Sequence, residues 1–287
     1  MSGRKLALGA AYALLFLVAF VFFLWRSLPY RDIASALAGR LERRGIGVEL
    51  AGLGPGALLG VRAGRVRITP PGAPVTLAFA EAEAWPEWTR LVRGDPAVRF
   101  RSRFAGGTLE GTLGAASPAF LELTWDGVAL DRIPKPPPWH ELPLAGTSRG
   151  SLAVDDLRAR LVEATVSARA SFSAVRLGPG KVRGVPVPEV ALADGAVDLR
   201  IAEGKADVRE ARFQGGDLEV LLNGASVLLR RPLGRSLVNG MITLAPNEKA
   251  REDLALLFAL FPGAPGSDGR YTARIRGSLQ APRLLRR

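Results

Sequence analysis

Very few residues of this chain have side chains suited to chemistry. His140 is its single histidine and it has no cysteine, so thiolate nucleophiles, disulfides and cysteine-ligated zinc are excluded. A Ser-His-Asp triad would have to be built on His140. That residue follows Pro134-Lys135-Pro136-Pro137-Pro138 and Trp139 with no partner at a recognisable spacing, and it reads as structural. The acid pairs Asp155-Asp156 and Glu252-Asp253 are adjacent in sequence. Acid–base catalysis needs two groups converging on one substrate, and these pairs read as turn and helix-start residues. No GxSxG, HExxH, Walker loop or GxGxxG ahead of a helix occurs. The sequence offers no catalytic, cofactor-binding or metal-ligating residue, and the chain is expected not to be an enzyme.

Apolar surface and positive charge are what the chain does carry. Apolar residues make up 48% of its 287 positions and its formal charge is +12, enough to bury a core. Only five of the 39 basic residues are lysine (Lys5, Lys135, Lys181, Lys205 and Lys249). The arginines are dispersed, without interleaved stacking aromatics or a recognition-helix motif, so a nucleic-acid partner is not expected. Acidic lipid headgroups or acidic protein surfaces suit such a charge. Glycine (33) and proline (21) are spread along the chain, a pattern of many short strands and turns.

The elements that would position any function begin with a membrane segment. After a tail of residues 1–5, Leu6 to Trp25 runs without a charge. Twenty helical residues span about 30 Å, the thickness of a bilayer's hydrocarbon core. Leu6, Phe16, Phe22 and Trp25 are the expected anchor contacts, Trp25 at the interface. A cleaved signal peptide would have a shorter apolar region and a small-x-small site; Phe22-Phe23-Leu24-Trp25-Arg26 is bulky throughout, so an uncleaved anchor is expected. Arg4 and Lys5 precede the segment, and Arg26, Arg31, Arg40, Arg43 and Arg44 follow it, so charge alone does not orient it. Within residues 26–45, Ile33, Leu37 and Leu41 recur every four positions and predict an amphipathic helix from Tyr30 to Arg44. It would cap the β-body, or lie on the membrane or on a partner through those three residues.

Residues 46–287 change to a period of two. Val98, Phe100, Ser102 and Phe104 alternate with Arg99, Arg101 and Arg103; Leu121, Leu123 and Trp125 with Glu122 and Thr124; Val166 to Ala174 and Val197 to Ile201 do the same. Each such segment has one apolar and one polar face, so the expected fold is mainly β: a large curved antiparallel sheet (trough, sandwich or open barrel) with short capping helices. Asp126-Gly127, Gly178-Pro179-Gly180, Asp194-Gly195 and Asn223-Gly224 are predicted turns. The prolines at 134–138 predict a stiff connector between two halves of the sheet. Asn247 predicts a helix cap, with Leu254, Leu257, Phe258 and Phe261 as the stripe of a helix over 247–261 that ends at Pro262-Gly263. That helix would plug an open end of the sheet, or contact a partner or membrane. The inward positions hold many alanines, which suits either tight self-packing or a groove filled by a ligand.

Five C-terminal blocks carry a resemblance. Gly215-Gly216-Asp217-Leu218-Glu219-Val220, Asn239-Gly240-Met241-Ile242-Thr243-Leu244, the 247–261 helix, Asp268-Gly269-Arg270-Tyr271 and Arg276-Gly277-Ser278-Leu279-Gln280-Ala281-Pro282 resemble, in pattern and order, the N component of bacterial type II secretion systems. So does the opening, an anchor followed by Leu28-Pro29-Tyr30 and a short helix. The resemblance implies a single-pass inner-membrane protein with its bulk in the periplasm, acting without catalysis as a scaffold or assembly factor beside other inner-membrane secretion components. It also implies kinship with AsmA-like proteins, and with it the alternative of an apolar β-groove that binds or transfers lipid. No cofactor is implied.

Overall fold

The computed structural model describes residues 3–286 apart from 44, 71–74, 135–142, 158–162, 183–184, 231–234 and 260. Helices α1 (Gly3–Arg26) and α2 (Tyr30–Glu42) come first, then β1 (Gly47–Ala51), β2 (Gly54–Pro55), β3 (Val61–Thr69) and β4 (Leu77–Pro86). A short helix, α3 (Trp88–Val92), leads into β5 (Ala97–Phe104), β6 (Gly107–Gly114) and β7 (Leu121–Ala129). Next are β8 (Leu144–Val154), β9 (Val166–Leu177) and the small hairpin β10 (Gly180–Val182) and β11 (Val185–Val187). The long strands β12 (Val190–Ala202), β13 (Lys205–Gln214), β14 (Leu218–Leu228) and β15 (Leu237–Pro246) follow. Helices α4 (Glu248–Asp253) and α5 (Ala255–Ala259) precede β16 (Tyr271–Ser278) and β17 (Ala281–Arg286).

The protein is mainly β, 56% strand and 19% helix, and its strands form one large antiparallel sheet that does not close. The order is β1-β3-β4-β5-β6-β7-β8-β9-β12-β13-β14-β15-β16-β17, with β2 beside β3 and the β10–β11 hairpin apart. Apart from β1–β3 and β9–β12, neighbours in the sheet are consecutive strands joined by local reversals. Of the expected features the structure shows the large antiparallel sheet, and it is not closed: β1 and β17 remain separate edges. The proline run does not divide the sheet either: β7 and β8, which flank it, pair directly from Leu121↔Val154 to Ala129↔Thr147. Residues 135–142, including His140, lie outside the described residues.

Three predicted turns are bulges instead. Asp126-Gly127 falls inside β7, Asp194-Gly195 inside β12 and Asn223-Gly224 inside β14, at or beside shifts of register. Gly127 and Gly224 have φ of 66° and 56°, a conformation that serves a bulge as well as a hairpin turn. Gly178-Pro179-Gly180 does separate β9 from β10.

Among the described residues, a compact core lies toward the C-terminal end of the body. Val187, Val190, Ala250, Leu254, Phe258 and Tyr271 form a buried cluster, with Leu257 and Phe261 packed against it. The Phe258 and Tyr271 rings stack at 4.4 Å. The predicted helix is two short ones broken at Leu254, and its stripe lies on the end of the sheet. Asn247 caps as expected, its Oδ1 accepting from Ala250 N at 2.7 Å. Asp217 ties this end together: its Oδ2 accepts from Ala191 N and its Oδ1 from Asn247 Nδ2, both at 3.1 Å. Gly216 must be glycine, because a Cβ there would collide with the Ala191 carbonyl.

The bond from Ala191, the bond from Asn247 and the charge of Lys249 hold the Asp217 carboxyl below its ordinary pKa, although burial works in the other direction. A depressed carboxylate contributes stability that is complete above its unfolded pKa and is lost as pH falls through its folded pKa. Asp217→Asn keeps one acceptor oxygen for two donors. It is expected to lower stability at about pH 7 by about 1 kcal/mol, a modest figure because the site is partly open to water. The gap should narrow near pH 3, and urea denaturation at both pH values checks it.

Candidate functional site

Register determines which residues share a face, because directly paired residues in an antiparallel ladder point the same way. One row can be followed from Val61 through Ala84, Phe100, Gly111 and Leu123 to Leu152. It continues through Ala168, Leu199, Val208 and Ala225, and beyond the β14 bulge through Gly240, Ile275 and Leu284. Thirteen successive strands contribute an apolar residue or a glycine to this row. The neighbouring row on the opposite face reads Arg101, Glu110, Thr124, Ser151, Arg169, Asp198 and Glu210. It is laced by exposed ion pairs, Arg101–Glu110 at 3.0 Å and Arg169–Asp198 at 3.1 Å.

Among the described residues, no helix or second sheet layer lies over the middle of the apolar face. Phe100, Leu123, Leu152 and Leu199 are all partly exposed, and the largest fully buried side chains among the described residues are Val175 and Ser236. The chain exposes 18572 Å². A compact monomer of its 30.5 kDa would expose about 11,800 Å².

Glycines keep the face low. Phe100 lies across its partner Gly111, Trp125 across Gly150 and Phe213 across Gly195, and a Cβ at any of the three would strike the ring. Phe172 flanks Gly195 from the other side, 5.6 Å from the Phe213 ring. Trp125 is further fixed by donating from Nε1 to Ser148 Oγ at 2.9 Å. These glycines were not among the expected site residues. The signal was a glycine three to five positions from the nearer end of an otherwise alternating strand, legible only once its aromatic partner is known.

Helix α2 covers the β1 edge. Tyr30 and Ala34 are buried, whereas Ile33 is 41% and Leu37 46% exposed and Leu41 is half-buried. Leu37 forms one wall of an apolar cavity of about 310 Å³, completed by Leu50, Val66, Phe79, Phe100 and Leu109. Leu254 and Phe258 lie inside the chain's own core, with Leu257 and Phe261 packed against it.

In α1, Phe16 is 73% exposed, Phe22 half exposed and Trp25 partly buried. Trp25 meets Tyr30 edge-on at 5.7 Å, and its carbonyl accepts from the Tyr30 hydroxyl at 2.6 Å. The Leu6 side chain lies outside the described residues. Among the described residues no helix is long and apolar enough to cross a membrane; in α1 that leaves out the side chains of 3–11, 13, 14 and 18. Also among the described residues, no three His, Asp or Glu side chains are grouped to hold a metal. Asp155 and Asp156 lie just after β8, and Glu252 and Asp253 in α4. Comparison with known protein families, with curated proteins and with solved structures found no match to this chain.

Gly150→Ala tests the ring-on-glycine arrangement. Its Cβ would meet both the Trp125 ring and the Arg169 carbonyl, and the carbonyl belongs to a paired strand. A loss of about 1–3 kcal/mol is expected, the cost of overpacking, with a change in Trp fluorescence as the ring is lifted. Unchanged denaturation and emission would contradict it.

Proposed function

We propose that this chain is a non-catalytic, inner-membrane-anchored component of a bacterial type II protein secretion system, and that its periplasmic body is an open curved trough whose apolar face holds the acyl part of a lipid. The observation that carries the lipid half is the apolar row from Val61 to Leu284, which runs across thirteen strands and is partly exposed from Val61 to Val208 among the described residues. Apolar area left in water costs about 25 cal/mol per Å². A monomer seldom leaves so large a contiguous patch without a binding purpose. Acyl chains are apolar along their length and adapt to a shallow, ring-paved surface, so they suit this face better than a rigid polar ligand does. Bulges in β4, β7, β12 and β14 favour curvature, since each bends its strand.

The secretion half is supported by the resemblance of the C-terminal blocks. Their chain order is the order of the elements at that end: the Gly216-Asp217 tie, β15, α4 with α5, and the β16–β17 hairpin. The anchor is supported by α1, whose 24 residues extend about 36 Å and whose Phe16, Phe20, Phe22 and Phe23 side chains are exposed.

Full-length protein extracted in mild detergent is expected to retain lipid in native mass spectrometry, and the Leu123→Glu, Leu152→Glu double variant to lose most of it while remaining folded. Deletion of the gene is expected to reduce export of secreted enzymes, and the double variant to fail in restoring it. A lipid-free wild type with intact secretion by the double variant would leave a scaffold without cargo. Normal export in the deletion strain would remove the secretion half.

A further inference from the structure

Two cavities adjoin where α2 crosses the β1 edge, and they differ in chemistry. The first is the apolar one behind Leu37, about 310 Å³, with Leu50 and Leu53 in its wall. The second, about 700 Å³, shares Leu50 and Leu53 but is also lined by Arg31, Ser35, Glu49 and Arg62. A molecule spanning both must be apolar at one end and polar at the other.

The charges select the polar end. Glu49 is engaged, with Arg67 Nη1 3.1 Å from its Oε2. Among the described residues neither Arg31 nor Arg62 has an ion-pair partner within 4.0 Å. Glu83, opposite Arg62 in register, also faces Arg101, which pairs with Glu110 at 3.0 Å. Two guanidinium groups form a donor set suited to phosphate oxygens. The position fits as well. Arg31 lies in the first turn of α2, directly after the elbow where Tyr30 bonds the Trp25 carbonyl, so it stands at headgroup level if α1 is the anchor.

We infer that the ligand of this protein is an anionic phospholipid, its phosphate held by Arg31 and Arg62 at the α2–β1 edge and an acyl chain passing Leu50 and Leu53 into the apolar cavity. This rests on the lipid reading of the sheet face and adds to it a headgroup and a point of entry. Chain and head are bound by different residues, so the two ideas can fail separately.

The test uses full-length protein equilibrated with vesicles of phosphatidylglycerol, of phosphatidylcholine or of both, followed by native mass spectrometry of the retained lipid. Wild type is expected to retain phosphatidylglycerol about fivefold to tenfold over phosphatidylcholine. The Arg31→Gln, Arg62→Gln double variant should retain the two equally. Both residues are exposed, so the variant should fold normally, and circular dichroism checks that. Equal retention by wild type, or an undiminished preference in the double variant, overturns the headgroup assignment and leaves the trough. Displacement of the preference by millimolar inorganic phosphate, with no loss of bound lipid, would show arginines that bind free anion and would also overturn it. Retention of no lipid at all overturns both readings.

Discussion

Everything in this fold follows from covering, or failing to cover, one face of a very long sheet. Side chains alternate along a strand, and antiparallel pairing carries that alternation from strand to strand without loss. Once Val98, Phe100 and Phe104 point one way and three arginines the other, the same division is imposed through Gly111, Leu123, Leu152, Ala168 and Leu199. A sheet with one apolar face is stable in water only if something lies on that face. Among the described residues, the chain itself supplies α2 at one end and α4 with α5 at the other, and the middle is partly exposed.

The local devices serve that economy. Aromatic rings that would stand up in a sandwich core lie flat on glycines instead, which gives a smooth surface with little relief. The polar face is held by exposed ion pairs such as Arg103–Glu81 at 2.8 Å, each worth little alone but keeping that side wet. At the C-terminal end, Asp217 joins β12, β14 and the start of α4 through side-chain bonds, so the plug and the sheet end fold as a unit. Tyr30 does the equivalent at the other end, fixing the angle between α1 and α2.

Much of this was legible in the sequence, for physical reasons that also explain the rest. The period of two identified β5, β7, β9 and β12, because alternation is a local signal. Asn247 announced its helix through cap chemistry, although the break at Leu254 reflects packing that no local pattern encodes. Asp126-Gly127, Asp194-Gly195 and Asn223-Gly224 were read as turns because a residue able to take positive φ serves a turn and a bulge alike. Only pairing distinguishes the two. The glycine positions under Phe100, Trp125 and Phe213, and the paired cavities beside α2, were invisible for the same reason: they exist between strands and not along them.

The central claim is that the apolar face is occupied by lipid, and contact at single residues tests it most directly. A photoactivatable benzophenone amino acid placed at Leu123 or Leu152 samples that face, and one at Thr124 or Ser151, their neighbours in the same strands, samples the other. Illumination in intact cells, followed by mass spectrometry of the purified protein, is predicted to give lipid adducts at 123 and 152 and none at 124 and 151. Equal labelling on both faces, or protein adducts alone at 123 and 152, would contradict the account.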